Sequence, residues 1–257
     1  MSDFIPTPER QKQILSLLTR QGRLSVTEIV EQFSISEATA RRDLESLASQ
    51  GKLQRVHGGV IAIEQAPPEL PILERENEQP DEKTRIGRAI ASLIANKETV
   101  FLGSGTTVLE VARNLRDHRN LTVITNSLPV LNMLAGIKEI TVIALGGSLR
   151  DSELSFIGHI TEQALSEVRA DKVIIGIRAI SLEQGLTNDY LQETLTDRAI
   201  LKIGREVIVA ADHTKCGVVS TAFLAPLSAM HMLVTDGGTD AKFINALKGK
   251  AINVIVA

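Results

Sequence analysis

The chain is poor in the residues that build aromatic or oxidised cores. Its 257 residues contain no tryptophan, one tyrosine and one cysteine, and aromatics make up 3% of the whole. With Cys216 alone, no disulfide framework can form within the chain, which fits a reducing compartment. A lone thiol of this kind is more often a small packing residue than a reagent. No apolar run approaches the ~20 residues of a membrane span. The first residues, MSDFIPTPERQKQIL, lack the basic segment and long apolar stretch of a signal peptide. The expectation is a soluble, cytoplasmic protein with no membrane partner. Charge is also nearly balanced, 28 Lys and Arg against 31 Asp and Glu, so nothing global announces a polyanionic partner. Five scattered histidines give no Ser-His-Asp or Cys-His set and, with the single cysteine, no metal-ligand spacing. Neither a metal nor a cofactor is expected.

What is present is aliphatic. Apolar residues reach 43%, enough to bury a sizeable core. Composition breaks once, in EQAPPELPILERENEQPDEK, where Pro67, Pro68, Pro71 and Pro80 stand among acids. Proline at this density blocks helix and central strand. The stretch reads as a linker over 64–80, partly extended and able to pack on a neighbour. It divides residues 1–63 from residues 81–257.

Before the break the pattern is helical. PERQKQILSLLTRQG sets Ile14, Leu15, Leu17 and Leu18 on one side, with Gly22 as C-cap. SVTEIVEQF is a second helix capped by Ser25, and a third begins at Ser36 and closes at Gly51. KLQRVHGGVIAI alternates around a Gly-Gly turn and reads as a β-hairpin. Helix, helix, helix and hairpin in this order make a winged helix-turn-helix, whose third helix enters the DNA major groove. On that helix Ala40, Leu44 and Leu47 form the core stripe. Ala38, Arg42, Glu45 and Ser49 point away, with Thr39 and Arg41 on the flanks. Its start is therefore small, hydroxylated and basic outward. Arginine reads guanine edges or grips phosphate, and the helix N-terminus favours phosphate. Arg55 and His57 flank the Gly58-Gly59 turn, where backbone can approach DNA closely.

After the break, seven apolar runs alternate with helical stretches: TVFL, LTVIT, ITVIAL, DKVIIGI, EVIVAA, MHMLVT and INVIVA. This pattern predicts a doubly wound, mostly parallel α/β domain. FLGSGTT joins the first strand to a helix. Gly103 and Gly105 free backbone amides to turn toward a ligand, and Ser104, Thr106 and Thr107 add hydroxyls. The following helix adds its dipole, so the turn suits a phosphate. Two further strand ends are polar or glycine-rich: Thr125, Asn126 and Ser127, then Gly146 and Gly147. Ligands bind at the carboxyl ends of such strands. Three ends on one edge suggest a shared pocket. Lys83 and Arg85 at the start of this domain, and Lys215 after a strand, offer cations, while His213 reads as a turn residue.

Residues 9–60 resemble the N-terminal domain of DeoR-type bacterial transcription regulators. The resemblance is carried by Ser36, Thr39, the run Arg41-Arg42-Asp43-Leu44, and the closing Arg55, His57, Gly58 and Gly59. It extends across nearly the whole chain. Ala40 departs from it, since the family usually has Ile or Val there, and slightly looser packing is expected. The resemblance implies an operator-bound dimer or tetramer. Its effector domain is similar to ribose-5-phosphate isomerase and senses a phosphorylated sugar. Gly103–Thr107, the second and third strand ends, and Lys215 match that site. The family's phosphate loop usually begins with Asp, and here Gly103 stands in that place.

Isomerisation of an aldose to a ketose needs a general base near the sugar's reacting carbons. At the strand end where the isomerases carry Asp, this chain has Gly176, Ile177 and Arg178. Arg178 suits gripping an anion. Glu193, Asp189 and Asp197 are the candidate bases, and they read more readily as polar positions on a helix start and face. The expected function is a sequence-specific repressor of carbohydrate-metabolism genes, released from its operator by a phosphorylated sugar, and not an enzyme. A sugar-phosphate isomerase carrying a DNA-binding domain is the alternative. A sensor of NAD or AMP is the other rival, but GSGTT lacks the third glycine of the dinucleotide fingerprint.

Overall fold

The computed structural model describes residues 5–50, 52–62, 65–67 and 69–257. The expectations that fall on Gly51, Ile63, Glu64 and Pro68 lie outside these residues. The chain divides into two compact units, one ending at Gln65 and the other starting at Ala66.

In the first unit, α1 (Thr7–Gln21) ends at Gly22, whose φ of 72° supplies the left-handed cap. A short strand that sequence patterning missed, β1 (Arg23–Ser25), leads into α2 (Val26–Phe33). Ser25 and Glu28 form a reciprocal capping box there: the Ser25 hydroxyl accepts from the Glu28 amide, and the Glu28 carboxylate accepts from the Ser25 amide. Helix α3 (Glu37–Ser49) follows, then β2 (Gln54–Val56) and β3 (Gly59–Ile61). The three strands form one antiparallel sheet with β3 in the middle. Ile14, Leu18, Ile29, Ala40, Leu44, Leu47, Leu53 and Val60 close the core.

The second unit does not begin with a free linker. The Ala66 amide donates to the Val219 carbonyl at 2.9 Å, and the Ile72 amide donates to the Ser152 carbonyl at 2.7 Å. A single turn, α4 (Ile72–Arg75), buries Ile72. Pro80 then opens α5 (Pro80–Ala91) at a position where a missing N–H costs nothing. Residues 66–79 are thus a strap on the large unit. Proline excluded regular structure from most of it, but Ile72 is buried and Glu69 and Arg75 are paired, while Leu70 and Leu73 stay exposed.

From there β4 (Thr99–Leu102), α6 (Thr106–Arg113), β5 (Leu121–Thr125), α7 (Leu128–Leu134) and β6 (Ile140–Ala144) build one half of the sheet. A hairpin of β7 (Ser148–Arg150) and β8 (Ser155–Ile157) and then α8 (His159–Ser166) cross to β9 (Ala170–Gly176). The chain continues through β10 (Ala179–Ser181), β11 (Gly185–Asn188), α9 (Leu191–Leu201), β12 (Gly204–Ala210), β13 (Ala222–Ala225), β14 (Met232–Thr235), α10 (Ala241–Gly249) and β15 (Asn253–Val256). The seven runs expected from the sequence are the seven strands of one parallel sheet, in the order β15-β14-β12-β9-β4-β5-β6. The β7–β8 hairpin and the small antiparallel sheet of β10, β11 and β13 were not expected. They lie inside crossovers that read simply as long connections.

Each strand of the main sheet feeds two cores, because successive side chains point to opposite faces. Phe101, Val173, Ile175, Val207 and Val209 face Ile200 of α9 and Leu247 of α10. Val100, Leu102, Ile174, Ile208 and Val234 face Ile86 of α5, Val108 of α6 and Val130 of α7. Burial on both faces explains why the strands read as unbroken aliphatic runs. The order reverses between β4 and β9, where Leu102 lies beside Ile174. A crevice opens outside the carboxyl ends of strands at such a switch point.

Candidate functional site

Two places gather chemistry. The first is the outer face of α3. Its N-cap Ser36 accepts from the Thr39 amide at 3.2 Å, and the two hydroxyls lie 2.9 Å apart. Ala40, Leu44 and Leu47 are buried, and Ser36, Ala38, Arg41, Arg42, Glu45 and Ser49 are exposed, with Thr39 half-buried. Asp43 is buried with the stripe, where Arg10 Nε donates to it at 2.6 Å and Gln11 at 3.2 Å. Its charge is therefore spent inside the unit and leaves the outward face more basic. Arg41 donates twice to Glu37, one turn earlier, at 2.6 and 2.9 Å. Such exposed pairs are worth ~0–1 kcal/mol, so a DNA phosphate can displace this one. Arg42 makes no side-chain hydrogen bond or ion pair among the described residues. Arg55 on β2 reaches Glu45 of α3 at 3.3 Å, tying the hairpin to the helix. The exposed turn is His57 and Gly58. Gly59 belongs to β3 instead, where an added Cβ would stand 2.2 Å from the Leu24 carbonyl oxygen. Its role is close strand packing rather than the tip of the wing.

The second place is a cavity of about 380 Å³ beyond the ends of β4, β9 and β12. Gly103, Ser104, Gly105, Thr106 and Thr107 all line it. Gly105 is the N-cap of α6 with φ 111° and no side chain to cap the first turn, so the helix amides face the cavity uncapped. Arg178 and Lys215 come from the ends of β9 and β12. Arg75 and Lys83 join them, and Arg75, Lys83 and Arg178 are buried. Burial lowers the Lys83 ammonium below its ordinary value, against the pull of Asp212 and Glu78. Lys215 is lowered too, by burial and then by the neighbouring Arg178. Packing cations this closely beside a helix N-terminus creates a field that favours an anion.

The remaining expected residues are not brought there. Thr125, Asn126, Ser127, Gly146 and Gly147 are absent from the cavity wall. Thr125 Oγ1 donates to the Leu102 carbonyl at 2.7 Å and accepts from the Ser127 amide at 3.0 Å. Asn126 Nδ2 donates to the Phe156 carbonyl at 3.0 Å, and the Ser127 hydroxyl caps α7. The Gly146 carbonyl accepts from Thr161 Oγ1, and a Cβ on Gly147 would lie 2.1 Å from that same hydroxyl. The sheet order explains the difference: β5 and β6 lie to one side of the switch point. Arg85 is also elsewhere, exposed beside Glu82. His213 donates its amide to Asp236, and its Nδ1 lies 2.9 Å from the same carboxylate. Burial pushes the Cys216 thiol up to about 12, so it is no thiolate at neutral pH.

Sequence reading missed most of the acidic wall. Glu69 and Arg75 come from the proline-rich strap, Glu153 from the β7–β8 turn, and Asn188, Asp189, Glu193 and Asp197 from β11 and α9. Glu193 and Asp197 had read chiefly as polar positions on a helix start and face. Helix α9 corrects this by turning these two residues, one turn apart, into the cavity. The available signal was its weak amphipathicity, with Leu191 and Leu195 exposed on another side. These acids are occupied. Glu193 accepts from Ser155 at 2.8 Å and from Arg150, whose guanidinium also lies 4.5 Å from the Tyr190 ring centre. Asn188 Nδ2 donates to Asp197 at 2.8 Å. Burial, then Glu193, pushes the Asp197 carboxyl well up. Burial also raises Glu153 from the ordinary 4.5 to about 7, outweighing Arg75.

Residues 10–66 match the DeoR-like helix-turn-helix domain, and residues 78–237 match the DeoR C-terminal sensor domain. The chain belongs to the DeoR family. Among similar members of this family is the transcriptional repressor AccR of Agrobacterium fabrum, 35% identical over 92% of each chain. Another is the glycerol-3-phosphate regulon repressor of Escherichia coli K12, 36% identical over 89% of this chain and 90% of that one. Among solved structures, ribose-5-phosphate isomerase A of Methanocaldococcus jannaschii aligns at 16% identity and a TM-score of 0.40, over 54% of this chain and 55% of that one. A likeness of that size carries no argument about chemistry. As a DeoR-family member the chain is a DNA-binding transcription regulator, and its named relatives are repressors rather than enzymes.

Proposed function

We propose that this DeoR-family protein is a cytoplasmic, sequence-specific repressor whose operator binding is relieved by a phosphorylated sugar. In this reading Ser36, Thr39, Arg41 and Arg42 read or grip the operator, with Arg55, His57 and Gly58 supporting from the hairpin and Gly59 packing β3 behind them. The large unit binds the effector and assembles a dimer or tetramer on repeated half-sites. The observation that carries the reading is the cavity at the switch point, where a helix N-terminus faces Lys83, Arg178 and Lys215. Phosphate sits at Gly103–Thr107 among these cations. Sugar hydroxyls meet Asn188, Glu193 and Asp197, which offer both acceptors and, for a protonated carboxyl, a donor. A phosphate ester in the name of the Escherichia coli relative supports this class. Ile160, Leu191, Leu195 and Phe223 are exposed on the large unit, apolar surface that a second copy would cover.

Fluorescence anisotropy of the protein on its own upstream DNA, at fixed salt and with a panel of sugar phosphates, tests the reading. Tight binding relieved by one compound is the expected result. Tight DNA binding that no sugar phosphate alters would sink the effector assignment, and DNA binding at the non-specific level would sink the operator assignment.

A further inference from the structure

Two buried donors in the cavity wall have no partner. Arg75 Nε and Arg178 Nε are enclosed and make no hydrogen bond among the described residues. The two residues are only 8% and 6% exposed. A buried guanidinium N–H without an acceptor is costly, and it marks a place where a ligand oxygen belongs.

The other nitrogens of these arginines are engaged. Arg75 Nη1 donates to Glu69 Oε1 at 2.6 Å, and Arg178 Nη1 lies 3.8 Å from that same oxygen. Arg75 Nη2 donates to Glu153, and Arg178 Nη2 donates to the Pro67 carbonyl. One carboxylate oxygen thus stands between two guanidinium groups. Lys215 is close enough to feel Arg178, Asp212, Glu69 and Arg75. Glu69 belongs to the strap and not to the sheet. The strap follows directly on Gln65, the last residue of the DNA-reading unit. The start of this segment is held to the large unit by the Ala66–Val219 backbone bond and by Arg178, through the Pro67 carbonyl and Glu69; farther on, the Ile72–Ser152 backbone bond and the Arg75–Glu153 pair hold it separately.

We propose that Glu69 is a resident counter-anion, which together with the Pro67 carbonyl holds the start of the strap to Arg178 until the effector's phosphate takes its place. The inference rests on the cavity being the phosphate site. A phosphate monoester carries more charge than a carboxylate and three acceptor oxygens, enough to reach the orphan Nε–H groups as well as the Nη groups. Arg75 keeps Glu153 as a partner throughout. Glu69 leaves with the start of the strap, so effector binding loosens the residues that are covalently continuous with the DNA-reading unit. Release of an ordered segment by exchange of one anion for another is an order-to-disorder switch.

The test uses the full chain and inorganic phosphate as the probe. Titration calorimetry compares the wild type with Glu69→Gln, and hydrogen exchange follows the Ala66 and Ile72 amides. The expected outcome is phosphate binding roughly tenfold tighter in Glu69→Gln, the order of one buried charged interaction. Phosphate should also speed exchange at the Ala66 amide in the wild type, with Ile72, in the turn that Arg75 anchors to Glu153, as the internal reference; this readout does not depend on the variant folding. Equal affinities would overturn the displacement while leaving the phosphate site standing. Tighter binding with unchanged amide protection would mean that Glu69 only repels the ligand, and would also overturn it. Phosphate binding to neither protein would remove the phosphate site and this inference together.

Discussion

Gly103 stands where the resembling family usually has a carboxylate, and the space around it does not require glycine. An added Cβ would lie 3.4 Å from Ile175 Cγ2 and 3.5 Å from the Ile174 carbonyl, which is ordinary contact. If this turn holds phosphate as proposed, glycine here removes a charge that would face it at short range. Gly103→Asp should therefore leave the melting temperature nearly unchanged and weaken phosphate binding roughly tenfold or more, as calorimetry would show. Glu153 offers a second test. Burial raises its carboxyl from 4.5 to about 7, so the folded protein holds a proton that the unfolded chain has already lost in that window. This contribution to stability is fully present below about pH 4.5 and is lost as pH rises to about 7. Urea midpoints of the wild type should fall across that window relative to Glu153→Gln, and the two profiles should run parallel above it.

At the scale of elements, α3 and α9 show how one helix carries two faces. In α3 the buried face includes Asp43, paired with Arg10, so the outward face keeps Arg41 and Arg42 without a compensating acid from the stripe. Replacing both with alanine should leave Ala40, Leu44 and Leu47 packed and the unit folded. Operator affinity at fixed salt should fall roughly 10- to 100-fold, within the range of losing one or two good arginine contacts. Circular dichroism checks the fold and anisotropy the affinity; unchanged affinity would show that α3 is not the reader. Helix α9 turns Glu193 and Asp197 inward and Leu191 and Leu195 outward. Cavity occupancy and whatever covers those leucines therefore act on the same rigid element.

For the whole molecule, a ligand can alter DNA binding only through a difference in its affinity for two states, usually ~1–3 kcal/mol. If assembly of copies through the large unit sets operator affinity, then Leu191→Asp with Leu195→Asp should shift the oligomer toward monomer in analytical ultracentrifugation. It should weaken operator binding and leave phosphate binding intact, because both leucines lie outside the cavity wall. An unchanged sedimentation coefficient would move the interface to another face.

Much of this protein is written in local pattern. Caps at Ser25 and Ser36, the Ala40–Leu44–Leu47 stripe and seven aliphatic runs are short-range signals, and each formed where the sequence placed it. So did Gly103–Thr107, because a strand, a glycine turn and a helix start are contiguous in the chain. Arg178 and Lys215 reached the same cavity, one through the strand-end pattern and one through resemblance. The sheet order was not legible, and it decided the rest. By placing β9 beside β4 and β12 beside β9, it carried Thr125–Ser127 and Gly146–Gly147 away from the cavity. It likewise brought in Glu153, Glu193 and Asp197, whose pairings with arginine, serine and asparagine span from 9 to 78 residues of chain. The strap followed the same rule. Proline limited helix there to the single turn of α4, but only Arg178, waiting across the fold, determined that Glu69 would be held rather than left in solvent.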